Sequence, residues 1–276
     1  MNIASTVTLS NGVKIPQLGL GVYKVDESEA KDTVLSALDL GYRHIDTASF
    51  YGNERQVGDA LQETDIPRED IFVTTKVWND EQGYEETMKA FERSIEKLQT
   101  DYVDLYLIHW PVPGKFQDTW RALEHLYEQG RVRAIGVCNF QEHHLEKLLE
   151  TAEVTPVVDQ VEFHPRLYQK GLLDFCREKE MRVEAWAPLG RAKYFDAPVL
   201  QSLAEKHKKT PAQIILRWEL QHGIITIPKS TKRQRQKENA EVFDFELSPE
   251  DMNEVDEMNR DERLSKHPDD FPYNQS

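Results

Sequence analysis

Four ionisable side chains occur where they could act together on one small group: Asp46, Tyr51, Lys76 and His109. Asp46 closes the run Arg43-His44-Ile45-Asp46. Lys76 closes Ile71-Phe72-Val73-Thr74-Thr75-Lys76, and His109 closes Val103-Asp104-Leu105-Tyr106-Leu107-Ile108-His109. These are short, largely apolar runs of strand character, so each ionisable group sits at a strand's C-terminal end. Tyr51 lies in the loop Thr47-Ala48-Ser49-Phe50-Tyr51-Gly52-Asn53-Glu54, which returns it to the same rim. A lone tyrosine has a pKa near 10 and is a poor proton donor at neutral pH. A neighbouring ammonium favours the phenolate, and a shift of ~2–3 units corresponds to ~3–4 kcal/mol. Asp46 would hold Lys76 in place, and a neutral His109 would aim a substrate oxygen. Such a set suits proton delivery to a carbonyl oxygen that gains negative charge as hydride reaches its carbon. An Asp or His alone at a strand end often serves only a loop, and a lone lysine can snorkel. Four converging on one rim, three from strands ~4.8 Å apart and one from a loop, are hard to explain that way.

A repeating pattern must hold these residues. Strand starts near Leu18, His44, Ile71, Val103, Val132, Val157, Arg182 and Ile224 leave room for one crossover helix in most gaps, which makes the strands parallel. The longest gap predicts two helical pieces, 199–207 and 211–221, with Thr210-Pro211 starting the second. Eight βα units in about 250 residues match a closed (β/α)8 TIM barrel, with a doubly wound open sheet as the alternative. Ahead of it, Thr6 to Ile15 alternates around Asn11-Gly12, the signature of a β-hairpin. No linker divides the chain, so residues 1–276 read as one barrel domain. The stretch 260–276 reads as an irregular tail lying over the barrel. Gly19-Leu20-Gly21 lacks the third glycine of a dinucleotide fingerprint and is read as a tight turn after the first barrel strand.

The 276 residues carry 34 Lys plus Arg against 49 Asp plus Glu, a formal charge of −15. That field disfavours a nucleic-acid partner or an anionic membrane surface. No apolar stretch approaches the ~18–20 residues of a membrane span, and the N-terminus has no secretory pattern. Two cysteines, Cys138 and Cys176, make no disulfide framework. A soluble cytoplasmic protein is expected. Neither His-x-His nor His-Glu-x-x-His occurs, so no metal is expected. His143 and His144, adjacent on a helix, are expected to point in different directions.

Gly41-Tyr42-Arg43-His44-Ile45-Asp46-Thr47-Ala48, Tyr51-Gly52-Asn53-Glu54, Thr74-Thr75-Lys76, Leu107-Ile108-His109-Trp110-Pro111 and Ile227-Pro228-Lys229-Ser230 together resemble the aldo-keto reductase superfamily. The likeness runs from about residue 5 to residue 260 and is strongest to the bacterial diketogluconate-reductase and glyoxal/methylglyoxal-reductase group. It implies a TIM barrel, NADPH as cofactor, and an Asp46/Tyr51/Lys76/His109 tetrad with Tyr51 as general acid. It assigns Lys229, Ser230 and Arg235 to the 2′-phosphate, and Glu238 and Asn239 to the adenine. Asn139 and Gln160 would bind the nicotinamide carboxamide, and Trp186 would stack on its ring. Cys138 stands where serine is usual.

The chain's own charges agree, since 229–237 holds five basic residues and no acid at the start of a helix. Tyr23, Trp78 and Trp110 follow three of the barrel strands and are expected to wall the substrate pocket. Short loops before Phe116 and between Gly190 and Pro198 predict an open pocket. The expected activity is NADPH-dependent reduction of aldehydes and reactive ketones, including dicarbonyls such as methylglyoxal and keto sugars, by a monomer. The alternatives are a non-catalytic NADPH-binding regulatory protein on the same fold and a metal-dependent barrel hydrolase.

Overall fold

A computed structural model describes residues 2–273; Met1 and residues 274–276, which end the predicted tail, lie outside the described residues. The Asn11-Gly12 turn joins β1 (Thr6–Thr8) to β2 (Lys14–Pro16) as an antiparallel pair. Leu9 and Ile15 of this hairpin are buried with Phe72, Leu105, Val158 and Ile225. Asn11 and Thr8 are hydrogen-bonded to Arg133 and Arg182, which lie at or before strand starts, so the hairpin closes the end opposite the strand C-termini.

Eight parallel strands follow: β3 (Leu20–Gly21), β4 (His44–Asp46), β5 (Phe72–Val77), β6 (Leu105–Ile108), β7 (Ile135–Cys138), β8 (Val158–Glu162), β9 (Arg182–Trp186) and β10 (Ile225–Thr226). They pair in chain order. The ring closes where Leu18 bridges Thr226, with Gly19 N–H on the Thr226 carbonyl at 2.9 Å and Thr226 N–H on the Gln17 carbonyl at 2.9 Å. Bridges at Leu18 and between Val103 and Val132 extend three strands back to their predicted starts.

The first six crossovers contain α1 (Glu27–Asp39), α2 (Glu54–Glu63), α3 (Tyr84–Leu98), α4 (Phe116–Glu128), α5 (Glu142–Leu149) and α6 (Lys170–Glu178). The long gap holds α7 (Pro198–His207) and α8 (Pro211–Gln221), as the spacing predicts. Thr210 and Gln213 form a capping box that starts α8 behind Pro211, satisfying amides the first turn leaves free. After β10 come α9 (Arg233–Ala240) and α10 (Pro249–Asp256). Trp120 of α4 and Trp218 of α8 are fully buried in the layer between helices and sheet. No helix among the described residues is long and apolar enough to cross a membrane.

Gly19-Leu20-Gly21 is not a turn. Leu20 and Gly21 form β3, and the glycines permit close approach. A Cβ on Gly19 would stand 2.6 Å from His44 Nδ1, and one on Gly21 would stand 2.9 Å from the Ile227 carbonyl oxygen. Gly19→Ala is therefore expected to cost ~1–3 kcal/mol by overpacking, read as a lower urea midpoint at unchanged slope. An unchanged midpoint would show that His44 has room to yield.

Candidate active site

The barrel brings the four predicted groups to one rim. Lys76 Nζ, fully buried on β5, donates to Asp46 Oδ1 at 2.7 Å and Oδ2 at 2.8 Å, and to the Thr47 carbonyl at 3.0 Å. It reaches the Tyr51 hydroxyl at 3.3 Å. The His109 ring stands edge-on to Tyr51, centroids 5.6 Å apart. Burial holds His109 well below its usual pKa, and the Lys76 charge adds to this, so the imidazole is neutral. Burial opposes the charge on Lys76, yet Asp46 more than compensates and its pKa stands above the usual lysine value. Burial pushes the Asp46 carboxyl up, against Lys76 and Gln160, which pull it down. Donors on both carboxylate oxygens favour the ion pair.

The tyrosine expectation needs correction. Burial raises the Tyr51 pKa above 10, and Lys76 offsets this only in part because Asp46 cancels much of its field. The phenol is thus protonated throughout the neutral range.

Beneath the tetrad lies a polar network that sequence reasoning missed. Gln160 Nε2 on β8 crosses the barrel to Asp46 Oδ2 at 2.7 Å and also donates to Glu184 Oε2 at 3.0 Å. Glu184 on β9 is fully buried, and burial with the nearby Asp46 charge pushes its pKa up to about 8. An acid in the apolar run Val183-Glu184-Ala185 was the available signal.

At the ends of β7 to β9, Asn139 Nδ2 donates to the His109 carbonyl at 3.0 Å and to Cys138 Sγ at 3.2 Å. Asn139 Oδ1 accepts Trp186 Nε1–H at 2.8 Å. Cys138 in turn faces Gln160 Oε1 at 3.7 Å, and burial raises its pKa well above the usual thiol value. Cys176 is buried as expected.

Beyond β10, Ser230 accepts the Lys232 amide at 3.1 Å. Arg233 is engaged with Asp39 at 2.5 Å, while Lys229, Lys232 and Arg235 form no side-chain salt bridge among the described residues. Glu238 accepts the Thr210 hydroxyl at 2.8 Å, and Asn239 is buried.

The substrate-side aromatics diverge. Tyr23 packs on Tyr51 at 5.0 Å, and Trp78 lies 4.9 Å from His109. Phe50, half exposed and missed earlier despite adjoining Tyr51, stacks on Trp78 at 3.8 Å. Trp110 is instead stacked under Phe271 of the tail at 3.9 Å. The tail does cross the strand C-termini. Leu264 and Ser265 N–H groups donate to Glu162 at the end of β8, at 2.5 and 3.1 Å.

His143 and His144 do not diverge. Their rings lie 4.0 Å apart, and both Nε2 atoms meet Asp269 Oδ1, at 3.1 and 3.3 Å. The tail folds back to bring that carboxylate to them, which helix spacing alone does not foresee. These three residues form a cluster with metal-ligand donors. However, His144 Nδ1 already accepts the Gln141 amide at 3.1 Å, so its proton sits on Nε2 and points at the carboxylate.

A parallel barrel with a lysine–carboxylate pair beneath a tyrosine and a neutral histidine at its C-terminal rim defines a class of carbonyl-reducing oxidoreductases. Residues 16–260 match the family described as "Aldo/keto reductase family", and the chain belongs to that family. It is 56% identical over 273 residues to the glyoxal reductase of Bacillus subtilis, covering 99% of each chain. It is 42% identical to the methylglyoxal reductase DkgA of Escherichia coli, covering 97% of this chain and 98% of that one. Among solved structures, a mutant of Gox0644 in complex with NADPH superimposes with a TM-score of 0.93 at 42% identity, covering 97% and 98% of the two chains. The chain is therefore an oxidoreductase, and the regulatory alternative finds no support among these reductases.

Proposed function

We propose that this chain reduces small reactive carbonyl compounds, glyoxal and methylglyoxal first among them, together with other aldehydes and keto sugars, using NADPH. The observation that carries the reading is the Asp46–Lys76–Tyr51 chain of contacts beside neutral His109. The residues at the cofactor rim fit NADPH. Lys229, Lys232 and Arg235, without acidic partners among the described residues, suit a 2′-phosphate, and the Asn139 and Gln160 amides suit a carboxamide.

Lys229, Ser230 and Arg235 would hold the phosphate, Glu238 and Asn239 the adenine, and Trp186 the nicotinamide face. When bound, NADPH supplies the hydride. Tyr51 gives its phenolic proton to the substrate oxygen, and Lys76 stabilises the phenolate left behind. Neutral His109 donates a hydrogen bond that aims the substrate oxygen at Tyr51. Tyr23 and Trp78 wall the pocket with Phe50, and Trp110 backs the wall from beneath Phe271.

The complete tetrad within one chain supports a monomer, and two unpaired, buried cysteines support a cytoplasmic setting. The short loops flanking the pocket support fast release of NADP⁺. A kcat/KM profile across short dicarbonyls, aromatic aldehydes and keto sugars with NADPH and NADH tests the reading; no consumption of either cofactor with any of them would reject it. Arg235→Ala is expected to raise the NADPH Kd by roughly tenfold, the loss of one charge-assisted contact, and to leave the NADH Kd nearly unchanged. Equal changes in both would remove the phosphate role.

A further inference from the structure

Gln160 and Glu184 are direct register partners on β8 and β9, so their side chains enter the barrel interior side by side. Asp46 reaches the same amide from the far wall of the barrel. A primary amide has two N–H hydrogens, and here both are taken: Asp46 Oδ2 lies 2.7 Å and Glu184 Oε2 3.0 Å from Gln160 Nε2. A flipped amide would set its oxygen against the ionised Asp46 carboxylate, so Asp46 decides which way the amide faces and Glu184 Oε2, accepting the second N–H, holds it there.

We infer that Glu184 is a positioning residue for the nicotinamide site, which with Asp46 turns the Gln160 carbonyl oxygen toward the carboxamide N–H of the cofactor. The inference rests on the reading of Gln160 as a carboxamide-binding residue. Among the described residues Gln160 Oε1 meets only the weak Cys138 thiol, at 3.7 Å, and so retains acceptor capacity. Among the described residues Glu184 has no other hydrogen bond: Oε1 is buried without a partner, 3.6 Å from His44 Nε2, which is engaged by the Thr74 hydroxyl at 3.1 Å. Its one hydrogen bond is the one that orients Gln160. The device also ties cofactor seating to the tetrad, because Asp46 serves both Gln160 and Lys76.

Titrations of intrinsic tryptophan fluorescence with NADPH and with adenosine 2′,5′-bisphosphate, which lacks nicotinamide, test this. Glu184→Leu should weaken NADPH roughly tenfold, the worth of one hydrogen bond, while the bisphosphate binds as before. Glu184→Gln, whose carbonyl oxygen can still accept from Gln160, should restore NADPH affinity. Undiminished NADPH binding in Glu184→Leu, or equal weakening of both ligands, would overturn the inference. The unaltered protein gives a readout independent of folding. It should bind the 3-acetylpyridine analogue of NADPH, which has no amide N–H, several-fold more weakly than NADPH, and equal affinity would also overturn it. Gln160→Leu separates the two layers: if it leaves NADPH affinity unchanged, the carboxamide reading fails first.

Discussion

Tyr51→Phe is expected to lower kcat for carbonyl reduction by roughly 10²–10⁴-fold, the usual worth of a positioned general acid. The change deletes one oxygen whose only hydrogen-bonding neighbour among the described residues is Lys76 Nζ at 3.3 Å. The ring keeps its contacts with Tyr23 and His109, so the pocket should hold its shape. NADPH should still quench tryptophan fluorescence, and the melting temperature should stay close to that of the parent. Because burial holds the phenol protonated through the neutral range, the rate of the parent enzyme should not fall for want of the acid form near pH 7–8. Retained turnover in Tyr51→Phe would remove the acid assignment, and loss of NADPH quenching would show that the hydroxyl serves binding instead.

The second large effect concerns stability as well as rate. Lys76→Met would leave Asp46 buried with Gln160 as its only hydrogen-bonding side chain among the described residues. Removing one partner of a buried ion pair typically costs ~3–5 kcal/mol, because the other charge is stranded. The pH dependence identifies the cause. Without the ammonium, Asp46 in the folded protein would titrate further above its unfolded value of 3.8 than it does now. Over that interval the native state binds more protons than the unfolded state, so stability falls as pH rises. The deficit of Lys76→Met relative to the parent should therefore be largest at neutral pH and shrink toward pH 4. Asp46→Leu combined with Lys76→Met should recover much of the stability and none of the activity. Urea titrations at several pH values check this, and a deficit that does not change with pH would assign the loss to packing alone.

Strand spacing, the Asn11-Gly12 hairpin and the Thr210-Pro211 helix start are local signals. They come from backbone preferences and side-chain periodicity that act within a few residues. For that reason the barrel, its element order and the rim positions of Asp46, Lys76 and His109 could be read from the chain, and Tyr51 followed from a short loop. Gly19 was legible as a glycine but not in its purpose, because the atom that forbids a Cβ there belongs to His44 on the next strand.

The remainder depended on contacts between segments far apart in sequence. Gln160 meets Asp46 across the barrel, 114 residues away. Asp269 comes to His143 and His144 only because the tail returns over the strand ends, and Phe271 covers Trp110 for the same reason. The direction of the Tyr51 shift was settled in the same way. Sequence identifies the cation that lowers a phenol's pKa, but the opposing desolvation depends on how many atoms exclude water, and that is a property of the closed barrel.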